Sequence, residues 1–540
     1  MSSVCIIADK NLSRLTMAGT ELRKLALWVT ILTLVQLGAT QPAPRKNVLF
    51  LVSDDMRPEI NSFLGPDFPT PIHPTMFTPN LDELAGRSLM LARSYVQQAV
   101  CSPSRTSLLT GRRPDTTHVY DLVKYFRHVG GNFTTIPQYF KQHGYMSVGM
   151  GKIFHPGHAS GGDDPPSWSV PYYHAPSAKY WGPIGRRHSW LAVDESTERQ
   201  HPLPDSETAQ NAIETLRKVA PKAKSGEQPF FVAVGFHKPH LPFIFPEKFI
   251  QHYPESVIRL PDNQYAPVDM PPEAWSEYGE LRHYSDIAKL NASGHINTTL
   301  PKDVVLQLRR AYYSALSYTD SLIGDVIGEL KNLGLENNTI ISFWGDHGWQ
   351  LGEHGEWCKH TNFELATHAP MLVYVPGITD KGIKPEKLTE FVDLFPTLVE
   401  AAGLPLIPLC PKDSSKIEVC TEGQSMIPLA RDPSAPWKQR VFSQYPRSYP
   451  VKEVMGYTMR TEKYRYTEWA KFNYKTYMPD WTSLAGVELY DHVTDDEENH
   501  NKANDPSYKK IRNTLSQQLH QGWRAALPNV RDNTLYFTPV

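Results

Sequence analysis

The chain has 540 residues and a formal net charge of −2. That length exceeds one small core and suits a large α/β enzyme or two to four domains. Near-neutral charge excludes a general nucleic-acid-binding surface, so any polyanionic ligand has to meet local positive charge. Ordinary globular composition without a low-complexity tract excludes fibrous and disordered classes.

In chain order, Arg23 and Lys24 precede an apolar run from Leu25 to Leu37, and small residues follow at Gly38, Ala39 and Thr40. A basic flank, short apolar core and small-residue exit predict a signal peptide over 1–40. The run is short and carries Thr30, Thr33 and Gln36, so it is not read as a membrane anchor. Met17 is an alternative start that would shorten a long leader. Sequons at Asn132, Asn291, Asn297 and Asn337 agree with export.

Asn47 to Asp55 is a continuous apolar run closed by two carboxylates, the pattern of a strand buried on both faces. Thr78-Pro79 opens a helix. Pro229 to His237, Thr339 to His347 and Met371 to Val375 are further buried strands. Leu308, Tyr312, Ala315, Thr319, Ile323, Val326 and Leu330 form the apolar stripe of a long helix, with Gly334 as its stop. Strands alternating with helices predict an α/β fold with a large, mostly parallel sheet flanked by helices. Beyond Gly403 the chain turns Pro-rich. Val454 to Trp469 then alternates as strands, with a hairpin near Glu462-Lys463. The division expected is a catalytic region over 41–433 and a smaller C-terminal α+β subdomain over 434–540.

In parallel sheets, ligands bind beyond the carboxyl ends of the strands. Asp54, Asp55, His237, Asp346 and His347 all fall where a predicted strand stops. Of the five cysteines, Cys5 leaves with the leader, and Cys410 and Cys420 flank a short polar loop that suits a disulfide. Cys101 and Cys358 remain, free or bonded to each other. The Cys101-Ser-Pro-Ser-Arg105 motif argues for the former. Ser102 as cap and Pro103 in the first turn put Cys101 just ahead of a helix running to Thr110, with Gly111 as its stop. Free amides there favour an anion, and Arg105 adds a permanent charge. Cys-x-Pro-x-Arg followed by Leu-Leu-Thr-Gly-Arg matches the signal for oxidation of cysteine to formylglycine (3-oxoalanine).

With these blocks the chain resembles the type I sulfatases over nearly its whole mature length. Gly151-Lys-Ile-Phe-His-Pro-Gly, Ala233-Val-Gly-Phe-His-Lys-Pro-His, Asp346 to Trp357 and Ser443-Gln-Tyr-Pro-Arg extend the likeness to the subgroup that removes the 2-sulfate from iduronate. The resemblance implies an alkaline-phosphatase-like sandwich. It implies a lysosomal or secreted hydrolase of terminal iduronate 2-sulfate in heparan and dermatan sulfate, matured by the formylglycine-generating enzyme. It also implies one Ca²⁺ on Asp54, Asp55, Asp346, His347 and the oxidised Cys101, with Lys152 and Lys359 clamping the sulfate. Arg105 is implied to favour the nucleophile, with His237 as acid and His155 as base. Two features depart from the subgroup: no cysteine lies between 101 and 358 to form its mid-chain disulfide, and Cys358 replaces a small apolar residue.

Three carboxylates at strand ends suit a hard divalent cation. The spacing of His347, His354, His360 and His368 fits no common zinc motif. Pro239 argues against a helical metal pair at His237 and His240, and His240 is read as structural. Trp349, Arg447 and Lys452 are read as packing or surface ahead of sugar contact. The rival readings are a sulfatase of another glycan ester, a phosphatase or phosphonate hydrolase of the same fold, and a non-catalytic glycan-binding relative. The last should have lost part of the set, and every position is filled.

Overall fold

The structure, a computed structural model, describes residues 45–63, 73–447 and 453–528. The leader expected over 1–40 and Lys452 lie outside these residues.

The apolar run after Lys46 decides the architecture. Strand β1 (Asn47–Asp54) is buried at all eight positions and pairs in parallel on both sides. Val48 stands opposite Phe231 of β4 (Phe230–Pro239) and Ile340 of β5 (Thr339–Gly345). The sheet continues through β3 (Met146–Gly151), parallel to β4. On the other side it is closed by two antiparallel strands, β6 (Met371–Tyr374) and the short edge strand β2 (Leu89–Met90). The order is β2-β6-β5-β1-β4-β3.

Because successive residues of a strand face opposite sides, β1 feeds two cores. Leu49 and Leu51 pack with residues of α2 (Pro204–Ser225) and α3 (Lys302–Asn332). Val48, Phe50 and Val52 pack with Leu108 and Leu109 of α1 (Cys101–Thr110) and Phe395 and Leu398 of α4 (Leu394–Ala401). The result is a sheet between two helical layers. The seven stripe residues of α3 are all buried, and Gly334 follows the helix with φ 64°.

Two local expectations shift. The helix at Pro79–Ala85 forms, but the Thr78 hydroxyl donates to Asp82 instead of capping a backbone N–H. Helix α1 begins two residues earlier than expected: Val100, not Ser102, takes the cap position, and Cys101 is the first helical residue. Gly111 ends it at φ 65°, a left-handed stop as expected.

The C-terminal part is an antiparallel meander of β7 (Arg440–Arg447), β8 (Val454–Thr461), β9 (Tyr464–Asn473) and β10 (Met478–Asp491). The turn falls at Glu462-Lys463. Helix α5 (Lys509–Gln521) covers one face through Leu515 and Leu519 on Met459, Tyr466 and Leu489. On the other face Val454, Trp469 and Tyr490 pack against Phe363 of the larger sheet's connections.

Charged groups reinforce that seam. Glu364 accepts from Arg460 and Arg465, while Arg465 also pairs with Glu498, and the Tyr95 hydroxyl closes the set at 2.6 Å from Glu364. All are buried. Removing one partner of such a network leaves an uncompensated buried charge. Arg465→Met should therefore cost about 3–5 kcal/mol, read as a lower midpoint in urea. Burial raises the Glu498 carboxyl, but Arg465 and His492 outweigh it and hold it at about 2, below its ordinary 4.5. A depressed carboxyl contributes stability in full above its unfolded value and loses it as pH falls toward the folded one. The acid-unfolding midpoint of the variant should therefore move to higher pH, and an unchanged midpoint would refute this role for the network.

Candidate active site

The strands deliver their carboxyl ends to one edge. Asp54 ends β1, Asp55 follows it, Asp346 follows β5, and Lys152 follows β3. Helix α1 brings Cys101 to the same place. Its sulfur lies 3.6 Å from Asp54 Oδ1, 3.9 Å from Asp55 Oδ1 and 3.4 Å from His347 Nε2, and Lys152 Nζ donates to it at 3.5 Å. Asp55 adopts φ 59°, a conformation Asp tolerates better than most residues. Its N–H donates to Asp346 Oδ1 at 2.8 Å, which locks the two strand ends together.

Arg105, one turn along α1, organises the floor. Its Nε donates to Asp346 Oδ2 and its Nη2 to Asp54 Oδ1, both at 2.8 Å. Its Nη1 reaches the carbonyls of Lys152 and Ile153. Lys152 Nζ pairs with Asp54 Oδ2 at 2.5 Å, and Lys359 Nζ sits 3.0 Å from both Asp55 oxygens. Lys359 also lies 4.8 Å from the ring centre of buried Trp349.

Electrostatics follow from burial. Burial pushes the Asp54 carboxyl up, but Lys152 and Arg105 outweigh it and hold it well below the usual carboxylate range. Asp55 goes the other way. Burial raises it, Lys359 only partly opposes, and the neighbouring charges of Asp54, Glu280 and Asp346 add to the rise. Burial and Asp54 also push the Cys101 thiol well up, so an unmodified thiol here stays protonated and is a poor nucleophile. Burial and Lys152 lower His155 to about 3, leaving a neutral imidazole.

The donor set fits a divalent cation. Asp55, Cys101, Asp346 and His347 offer atoms all within 4.8 Å of one another, as do Asp54, Asp55, Cys101 and His240. His347 Nδ1 faces the Gly348 carbonyl at 2.9 Å, so it carries the proton and leaves the Nε2 lone pair toward the acids. Burial lowers His347 to about 4, which keeps it neutral. Burial and the neighbouring acids that raise Asp55 mark a cluster short of positive charge, which a divalent ion held by these hard oxygen donors would correct. A third grouping, Glu364, His492 and Glu498, is already neutralised by Arg460 and Arg465.

Nine of the ten predicted residues come together around this cluster or its rim; His237 is placed differently. Its backbone N–H and Nδ1 bind Asp205, at 2.9 and 3.1 Å, and its ring is 41% exposed. It lines a cavity of about 490 Å³ beside Asp54 and Lys152, with Trp181 and Tyr284. His240, expected to be structural, stands deeper in that cavity. Its Nε2 is 3.6 Å from Asp55 and 3.4 Å from Glu280, while Nδ1 is held by the Leu241 carbonyl. Lys238 Nζ fixes the segment by donating to the His240 and Pro242 carbonyls at 2.8 Å each.

Sequence reasoning missed Glu280 altogether. It accepts from Lys359 at 2.9 Å and contacts His360 Nε2 at 2.7 Å, and His360 in turn meets the Tyr445 hydroxyl of β7 at 2.8 Å. Glu280 lies in an irregular stretch without periodicity or motif. For His240 the signal was present in the His-x-x-His spacing. Arg447 donates to the backbone carbonyls of Glu273 and Ala274, and Trp349 is fully buried, so both act in packing here. Cys358 is buried and free, Cys101 is not bonded to it, and Cys410 pairs with Cys420.

A mostly parallel sheet between helical layers, with a buried cysteine, two lysines and three carboxylates gathered at its carboxyl edge, has the alkaline-phosphatase-like architecture. Among solved structures, the chain resembles BT4656 in complex with its substrate D-glucosamine-2-N,6-O-disulfate, with a TM-score of 0.63 at 19% identity, over 90% of this chain and 100% of that one. It likewise resembles the phosphonate monoester hydrolase of Silicibacter pomeroyi, with a TM-score of 0.65 at 21% identity, over 90% and 97% of the two chains. The sequence profile of the sulfatase family matches residues 46–404, and that of the N-sulphoglucosamine sulphohydrolase C-terminal region matches residues 352–525. Iduronate 2-sulfatase of Homo sapiens is 38% identical over 514 residues, covering 85% of this chain and 91% of the relative. The chain belongs to the sulfatase family and is a sulfuric ester hydrolase.

Adding Ca²⁺ to protein dialysed against chelator should raise its thermal midpoint, by about 2.7 kcal/mol of stabilisation at a hundredfold excess over Kd. Asp346→Asn should remove that response. Identical melting with and without calcium would count against the metal cradle.

Proposed function

We propose that the chain removes the 2-sulfate from terminal L-iduronate 2-sulfate in heparan and dermatan sulfate, as a lysosomal enzyme reached through the secretory pathway. The likeness to human iduronate 2-sulfatase across most of both chains supports the substrate. No helix among the described residues is long and apolar enough to cross a membrane. The catalytic region would occupy 41–433 and the C-terminal subdomain 434–540, behind a leader over 1–40.

The observation that carries this reading is the surroundings of Cys101: a buried thiol that cannot ionise usefully, at the first turn of a helix, facing three carboxylates and two lysines. Oxidised to 3-oxoalanine by the formylglycine-generating enzyme, residue 101 supplies, as its hydrate, an oxygen nucleophile and a second hydroxyl that drives sulfate release. A Ca²⁺ ion on Asp54, Asp55, Asp346, His347 and residue 101 would polarise that oxygen and a sulfate oxygen.

The chain's own side chains do the rest. Arg105, pinned between Asp54 and Asp346, holds the helix end and its nucleophile in place. Lys152 and Lys359 sit on either side of the thiol's neighbours and would neutralise charge on the sulfate oxygens. His155 is neutral, and its buried Nδ1 has no partner; a bound sulfate would offset Lys152 and raise the ring's low basicity, which a proton acceptor here requires.

For protonation of the departing sugar oxygen, geometry favours His240 over His237, which the family resemblance implied. His240 Nε2 points among the acids, whereas Asp205 holds His237 at the cavity wall. Burial and Lys359 push His240 well below the ordinary imidazole value. An arriving sulfate and carboxylate act in the opposite sense and would favour its charged form.

Two measurements follow. Peptide mass analysis of active protein should find an aldehyde at residue 101, and Cys101→Ser should lose sustained turnover; an ordinary thiol in fully active enzyme would refute the scheme. His240→Gln should cut kcat about 10²–10⁴-fold on an iduronate ester yet far less on an aryl sulfate, whose leaving group needs no proton, while His237→Gln should cost less. The reverse order would restore His237 as the acid.

A further inference from the structure

A second cavity, about 680 Å³, lies where the C-terminal meander meets the loops after α1. It shares no lining residue with the cavity beside Asp54. Gln444 of β7 lines it, whereas the adjacent Tyr445 reaches His360 at the catalytic cluster. The cavity is thus separate from the one at the catalytic edge, although β7 adjoins both it and the catalytic cluster.

Its walls combine aromatic faces with an unused amide. Trp481, Trp523, Tyr477 and Phe442 line it. Gln97 lines it too, is 1% exposed, and has no hydrogen-bond partner at either Nε2 or Oε1. Gln444 and Tyr457 beside it both donate to Asp115, at 2.8 and 2.9 Å, and Arg113 is held by Glu390 through its two Nη atoms, with its Nε unmet. A buried amide with both ends unmet costs stability, and its retention at a cavity wall points to a ligand that supplies an acceptor and a donor side by side. Lys412 adds a positive group to the lining and Asp413 a negative one beside it.

We propose that this cavity binds a pyranose unit of an acidic oligosaccharide. Vicinal hydroxyls both donate and accept, matching the Gln97 amide. The C–H face of the ring suits an aromatic wall, and a uronate suits Lys412. A nucleotide or inorganic anion would need more unpaired cations than this lining offers, and a lipid would need a lining without the amide. The volume is that of a small-ligand pocket, about 300–1,000 Å³.

The test is direct binding of an unsulfated hexasaccharide of alternating glucuronate and N-acetylglucosamine to the full protein, by titration calorimetry and saturation-transfer NMR. Because nothing is hydrolysed, the outcome is separate from the proposed sulfatase substrate. Saturable binding is expected, weakened about tenfold by Trp481→Ala and by Gln97→Leu. It should be retained in Trp481→Phe, which keeps an aromatic wall, and unchanged in Lys359→Met at the catalytic cluster. Should Trp481→Ala fail to fold, Gln97→Leu decides alone. Absence of saturable binding, full binding in Gln97→Leu, or loss in Lys359→Met overturns the proposal.

Discussion

The arrangement depends on one side chain, Arg105. It leaves the helix that carries Cys101 and, without exposure, bridges the end of β1 at Asp54, the turn after β5 at Asp346 and the carbonyls that follow β3. A planar guanidinium can hold several acceptors in fixed directions, which a lysine cannot. The nucleophile helix is thereby joined to three separate strand ends by one rigid group. Burial alone would not achieve this, since apolar packing fixes layers without fixing where charged termini point.

That junction has an electrostatic consequence. Asp54, Asp55 and Asp346 are brought together out of water, where an uncompensated carboxylate is costly. Asp54 is answered by Lys152 and Arg105, but Asp55 has Lys359 as its cation and three acids close by, Asp54, Glu280 and Asp346. Two chemically identical neighbours in the chain thus shift in opposite directions. The same field keeps the Cys101 thiol protonated, so the site is poorly suited to thiolate chemistry and well suited to an oxygen nucleophile beside a divalent ion.

The C-terminal meander is more than an appendage to this edge. Tyr445 on β7 meets His360, His360 meets Glu280, and Glu280 meets Lys359. The buried Glu364–Arg460–Arg465–Glu498 network lies along the same seam. Contacts from the smaller sheet therefore reach Lys359, the cation beside Asp55, which links the seam to the geometry of the cluster.

What the sequence determined by itself was whatever rests on periodicity and local chemistry. Continuous apolar runs marked β1, β4 and β5, a stripe at three- and four-residue intervals marked α3, and Cys101-x-Pro-x-Arg105 marked the helix α1. Carboxylates at run ends were legible because a strand that stops in charge must stop at a sheet edge. Tertiary structure alone decided which histidine of the His237-x-x-His240 pair enters the cluster. Spacing cannot say which ring a distant Asp205 will hold. It decided the role of Glu280 as well, since an irregular loop carries no repeat to read. And it decided that Gln97, four residues before Cys101, lines a different cavity with its amide unmet, because its backbone carbonyl is bound by Gln444 of β7, a residue far away in the chain.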